Sequence, residues 1–152
     1  MKTLALFAAL LACACASPTA VIDHRALDCS AGNDISVEAG LDDGTNGGRA
    51  EATGQREYLV RVTNNAHEEV TVKTIRIDPS DRVATGLDSV AKEFNHTIAE
   101  NDEYIFHLPV NAPWNRGVPE RPPVYERTVV FSVIVALTNG DSYRCQFESA
   151  AR

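Results

Sequence analysis

Methionine, basic stretches and long apolar runs are what this chain has least of. Met1 is the only methionine, which removes the thioether ligand sets of exported copper carriers. The four histidines, His24, His67, His96 and His107, are scattered without H-x-x-H or H-E-x-x-H spacing, so no zinc site is readable. No G-x-S-x-G occurs, and no Ser or Cys has a base within local reach, so no hydrolase is expected. Positive charge is scarce as well. With Lys2 set aside as part of a leader, 13 cations stand against 21 acids, a net charge of −8. Nucleic acid and anionic lipid surfaces repel such a chain, so nucleic acid is not among its expected partners.

The longest apolar run, Leu4 to Ala12, is about half of the roughly 20 residues that span a bilayer. With Lys2 before it and small residues and Cys after it, MKTLALFAALLACACASPTA reads as an export signal over residues 1–20. Residues 21–152 then form one domain, a length that suits a single core. Two processing routes are open. Leu10-Leu11-Ala12-Cys13 resembles the lipobox of bacterial lipoproteins, in which Cys13 is acylated and becomes the new N-terminus; cleavage after Ala14-Cys15-Ala16 gives a soluble secreted protein instead. Acylation of Cys13 is the one route by which this chain is expected to reach a membrane. Cysteine parity leans to the second route, which leaves Cys29 and Cys145 as an even pair. In an oxidising compartment such as a periplasm, a Cys29–Cys145 bridge is the expected state. The alternative is a buried Cys145 beside a free Cys29.

What the sequence has in quantity is alternation. Tyr58, Val60 and Val62 alternate with Leu59, Arg61 and Thr63, a half-buried strand. The polar residues Asn64 to Glu69 follow, then a second run, Val70 to Ile77, so Glu57 to Pro79 reads as a hairpin opening an antiparallel sheet. The second run breaks parity, with Val72 and Ile75 out of phase; a β-bulge near Lys73–Thr74, or a passage between sheets, would bring both to one core. Earlier, Val21 to Ser30 is a polar lead-in and Asn33 to Gly40 a first strand. Leu41 to Gln55, with four glycines, is a loop. Its Asp42, Asp43 and Asn46 do not have calcium-loop spacing, so no metal cofactor is expected. Leu87, Val90, Ala91 and Phe94 have helical spacing, which allows at most a short helical crossover near 87–95. Thr97 to Ala112 is extended, with a turn at Asn101-Asp102.

Asn139-Gly140 between Val129–Leu137 and Ser142–Glu148 signals a hairpin with a two-residue type I′ turn. That turn would set Ile134 opposite Cys145 and Ser132 opposite Phe147. Tyr143, Cys145 and Phe147 would then face the core, and Val129, Phe131, Val133, Val135 and Leu137 would form a second apolar row on the far side. Three fates are open for that row: cover by another part of the chain, contact with a partner or a second copy, or a ligand groove. The proline-rich stretch Pro113 to Pro123 holds the only Trp, and Trp114 is flanked by Arg116 and Arg121, the composition of an interface anchor. The other reading of Trp114 is a cap on the open end of the core. Partner-contact candidates are therefore Trp114, Arg116, Arg121, Phe131, Val133 and Val135, with Phe131→Asp and Trp114→Ala expected to abolish association while sparing the fold. Asn95-His96-Thr97 is a glycosylation sequon that has meaning only in a host that glycosylates.

These short runs and turns predict an all-β protein, an immunoglobulin-like antiparallel β-sandwich of about seven strands. Val60-Arg61-Val62-Thr63-Asn64 is a V-x-V-x-N strand end. With it, the stretch from Asp34 to Glu148 resembles the immunoglobulin-like modules of bacterial envelope proteins. It departs from antibody domains in that Trp114 does not lie between two core-spanning cysteines in the usual way. The resemblance implies a non-catalytic binding or structural module of the cell envelope, in the periplasm or lipid-anchored at the outer membrane. It carries over no functional residue. An enzyme or inhibitor acting through the long loops is the alternative.

Overall fold

The computed structural model describes residues 22, 25–29, 32–42, 57–80, 87–110 and 127–151. They form eight strands: β1 (Arg25–Cys29), β2 (Ile35–Asp42), β3 (Glu57–Asn64), β4 (Val70–Pro79), β5 (Val90–Ile98), β6 (Glu103–Pro109), β7 (Arg127–Leu137) and β8 (Ser142–Ala151). Five make one antiparallel sheet in the order β1-β8-β7-β4-β5, and three make another in the order β2-β3-β6. The expected immunoglobulin-like sandwich is the observed fold. Helix is absent among the described residues, and from Val90 the stretch with helical spacing is β5, paired to β4 through Val90↔Ile77 and Ile98↔Val70. Its apolar residues have an edge-strand role: Val90 and Phe94 are half-buried and Ala91 is exposed.

The Glu57–Pro79 hairpin is a correction. β3 pairs with β2 and β6, whereas β4 pairs with β5 and β7, so Asn64 to Glu69 carries the chain from one sheet to the other. The parity break has the bulge as its cause. The β4–β7 register slips by one between Val72 and Thr74, leaving Lys73 as the extra residue, and Val72, Ile75 and Ile77 are all fully buried. On the other side of β4 the ladder slips at the same level, where Asn95 of β5 has a positive φ of 51°. A second return crossing, Ala99 to Asp102, takes the chain from β5 back to β6.

Asn64 ties the two crossings together. It is fully buried, and its backbone N–H donates to Asp102 O at 2.9 Å. Its side-chain amide lies 2.8 Å from Glu68 O, 3.0 Å from Ala99 O and 3.2 Å from Ile98 O, while Oδ1 accepts from Ala66 N at 3.0 Å. The loop is therefore more than a turn: one amide satisfies backbone groups that two sheet changes would otherwise bury unpaired. Asn64→Leu leaves three carbonyls and one N–H without that partner. The expected loss is about 3 kcal/mol, read as a lower urea midpoint at unchanged slope; a loss under about 1 kcal/mol would show that water replaces the amide.

The last hairpin is one residue out of the expected register. Val133 pairs with Cys145 and Phe131 with Phe147. Leu137 N–H donates to Asp141 O at 2.9 Å, so Thr138-Asn139-Gly140 is a three-residue connection. Gly140 has φ 98° whereas Asn139 is not among the positive-φ residues, so the type I′ requirement is unmet and a type I turn with a left-handed glycine takes its place. Asn139 Oδ1 accepts from Asp141 N at 3.0 Å, a local bond that favours this geometry. The shift puts Val129, Phe131, Val133, Val135 and Leu137 on the same face as Cys145 and Phe147, and all seven are buried. There is no second apolar row to cover. Ser132 and Ile134 take the outer face instead.

Across the interior, Tyr58 of β3 meets Phe131 of β7 at 5.2 Å between ring centroids. One side of the sandwich is joined by Leu41 N–H donating to the buried Ser149 Oγ at 3.3 Å. The other is closed by aromatic rings of β5 and β6: Phe94 on Phe106 at 4.7 Å and His96 on Tyr104 at 3.8 Å. The Val21–Ser30 lead-in holds a strand that its composition does not announce. β1 pairs with β8, setting Cys29 directly opposite Cys145, and the two form a disulfide.

Candidate binding end of the sandwich

The register defines two chemically different ends. In the small sheet Asp42, Glu57 and Pro109 lie side by side; in the large one Pro79 pairs with Phe131 and Arg127 with Ala151. The Leu41–Ser149 bond joins those two rows. The strand ends that flank residues 43–56, 81–86 and 111–126 in the sequence all lie at this one end. The opposite end carries the short connections 65–69, 99–102 and 138–141, with Asp34, Glu68, Glu100, Asp102, Glu103 and Asp141 exposed on it.

At the loop end the sequence places unusual polar groups close to the core. Glu57 is 4 % exposed, and its Oε2 lies 2.6 Å from His107 Nδ1. A carboxylate so buried is acceptable only with a donor, and a proton on His107 Nδ1 makes this contact that hydrogen bond. On the inward face, the buried hydroxyl of Tyr58 has no hydrogen-bond partner among the described residues. Burial, then the charge of Asp88, pushes that phenol well above its ordinary range, so it stays protonated. On the outer face of the large sheet Asp78 accepts from Arg76 Nε at 2.7 Å, Arg76 Nη2 at 3.1 Å and Ser89 Oγ at 2.7 Å. The carboxylate keeps Arg76 charged further above its usual value and fixes the start of β5 against β4.

The histidines stay apart. His67 is 99 % exposed and 3.4 Å from Glu100 at the acidic end, His96 lies on Tyr104, and His107 is on Glu57; His24 lies outside the described residues. Among the described residues no group of three or more His, Cys, Asp or Glu could hold a metal ion.

Phe131, Val133 and Val135 are fully buried between the sheets, so these three partner-contact candidates present no surface. The reason is the one-residue shift of the last hairpin. Cys29 and Cys145 are joined, a bond at home in an oxidising, exported setting. Trp114, Arg116 and Arg121 lie outside the described residues, as do Cys13, Asp43 and Asn46; what is described of the Trp114 loop is its two stems, at the loop end. Asn64 and Glu57 are what sequence reasoning missed. The signal for Asn64 was parity: it continues the inward series Tyr58, Val60, Val62, where a polar residue must find internal partners. Glu57 lies on the outward series, and nothing in its neighbourhood announces burial.

No protein-family model and no curated protein matches this chain. Among solved structures it is similar to Northeast Structural Genomics Consortium target SoR45, at 14% identity and a TM-score of 0.44, over 78% of this chain and 88% of that one.

Proposed function

We propose that this protein is a non-catalytic binding or assembly module of the cell envelope, meeting a protein partner through the loop end of the sandwich. The observation that carries the reading is the shared origin of residues 43–56, 81–86 and 111–126. Loops that leave a rigid sandwich at one end are the usual place for recognition, because the scaffold fixes their stems. The tryptophan and two arginines in the sequence of the third connection, Trp114, Arg116 and Arg121, have hot-spot composition. The chain direction agrees: β1 runs from Arg25, opposite Glu148 near the loop end, toward Cys29. A lipid on Cys13 would therefore bring the loop end to the membrane side and turn the acidic end away from an anionic surface.

Trp114→Ala tests the reading. In pull-downs from envelope extract the variant should lose the partner that the parent protein retains, with stability unchanged within about 0.5 kcal/mol. Equal recovery by parent and variant would remove Trp114 from the site, and no recovery by the parent would count against the binding function itself. Mass spectrometry of the processed protein separates an acylated Cys13 from cleavage after Ala16.

A further inference from the structure

The chain holds a single N-x-S/T sequence, Asn95-His96-Thr97, and it falls on β5. Val72 of β4 pairs with His96 and Thr74 with Glu93, so Phe94 and Asn95 stand against the one residue Lys73. Asn95 occupies that break with a left-handed φ of 51°, and it is exposed. Asn64, Asn65, Asn101 and Asn139 spend their side-chain amides within the fold, on Glu68 O, Ser36, Glu100 and Asp141. Asn95 keeps no such bond among the described residues.

We propose that Asn95 is the acceptor of an N-linked oligosaccharide, added on export from a lipid-pyrophosphate-linked donor. The proposal rests on export, with which the Cys29–Cys145 bond agrees. In the transfer, Asn95 Nδ2 attacks the anomeric carbon of the first sugar as the bond from that carbon to the pyrophosphate oxygen breaks. A carboxylate of the transferase takes one amide proton, and the lipid pyrophosphate leaves with the electron pair. The Thr97 hydroxyl completes the acceptor sequence. Folding ties it to Thr71 Oγ1 at 2.9 Å, so transfer precedes the docking of β5 on β4.

What the fold decides is whether the product can be carried. An oligosaccharide is bulky and polar and needs a surface position. Phe94 and His96, on either side, lie against Phe106 at 4.7 and 5.7 Å between centroids and are half-buried, which leaves Asn95 the exposed member of the three. Along β5 it lies nearer the pair Ile98↔Val70 than the pair Val90↔Ile77, toward the short connections and away from the loop end. A glycan there leaves the loop end free. Glu93 also places an acid two residues before the acceptor, the extended sequence that bacterial oligosaccharyltransferases read.

The test is tandem mass spectrometry of the tryptic peptide Glu93–Arg116 from the full chain, exported by its own host. Asn95 should carry sugar in that peptide. Thr97→Val should leave the peptide bare, and Thr97→Ser should keep it glycosylated. Asn95→Gly suits the left-handed backbone and should give a folded protein without sugar. Glu93→Gln separates the two sources: a bare peptide assigns a transferase that reads the acid, a glycosylated one a transferase that reads N-x-T alone. A bare Asn95 in the exported parent overturns the proposal. So does sugar that survives Thr97→Val or sits on another residue of the peptide. Glycosylated protein without a cooperative melt would show that this fold does not carry the product.

Discussion

Phe131→Asp is expected to abolish folding, not association. The ring is fully buried, 5.2 Å from Tyr58 of the opposite sheet and 6.0 Å from Phe147 of the neighbouring strand. It is the aromatic contact that joins the two layers near the loop end. Removing a buried Phe side chain costs about 3–5 kcal/mol. A carboxyl left in that place adds at least about 2 kcal/mol, because it must stay protonated or carry an unpaired charge between the sheets. Together these reach the lower part of the 5–15 kcal/mol that holds a typical domain. The expected result is insoluble protein or a soluble fraction with no cooperative melt. Ile134→Asp, three residues on, is the control. Ile134 is half-buried on the outer face, opposite Arg144, and the change should cost no more than about 1 kcal/mol. If Ile134→Asp unfolded the protein and Phe131→Asp did not, the register of the last hairpin would be the two-residue one.

That pair of outcomes shows where the sequence was readable. Strands were legible wherever alternation ran uninterrupted, as in Tyr58 to Val62 and Val129 to Leu137, and broken parity marked the place near Lys73 while leaving a bulge and a passage between sheets both open, which the β4–β7 register decides for the bulge. Pairing was not. Whether two successive strands share a sheet depends on contacts distant in sequence, and Asn64 to Glu69 has the polar composition of a hairpin turn and of a sheet crossing alike. The Asn-Gly signal located the last turn correctly but not its length. Asn139 and Gly140 suit both the two-residue loop and the three-residue loop with its left-handed glycine, and one residue of slip exchanges the two faces of a strand. The apparent apolar surface at Phe131, Val133 and Val135 came entirely from that slip. At the binding end, Trp114 was visible through composition, while the convergence of three loop stems required the register of both sheets. β1 was the least visible of all: with Ala26 and Leu27 as its only apolar residues besides Cys29, it lies at the sheet edge because of its ladder and its disulfide, not because it buries anything.

Reduction of Cys29–Cys145 is expected to lower the thermal midpoint by up to about 15–20 °C, the shift that would follow from losing the full loop-closure figure of about 4.8 kcal/mol. The bond closes a loop of sequence separation 116, so nearly the whole sandwich, β2 through β7, lies between its ends. In the reduced unfolded chain those ends are independent, and the entropy they recover is what the oxidised protein never had to lose on folding. β1 moderates the effect. Because its residues are exposed, a reduced native state can release the strand without opening the core, and that freedom returns part of the entropy to the folded side. The loss should therefore fall short of the loop-closure figure, and it should be global: the Tyr58–Phe131 contact, far from the bond in sequence, should report the same midpoint as the backbone. Paired melts with and without reductant, followed by far-ultraviolet and aromatic circular dichroism, measure this. Cys29→Ser should match the reduced parent and be insensitive to reductant. A midpoint that moved by less than about 3 °C would mean that the reduced chain keeps β1 near β8 when unfolded, so that the bond constrains little that was not already constrained.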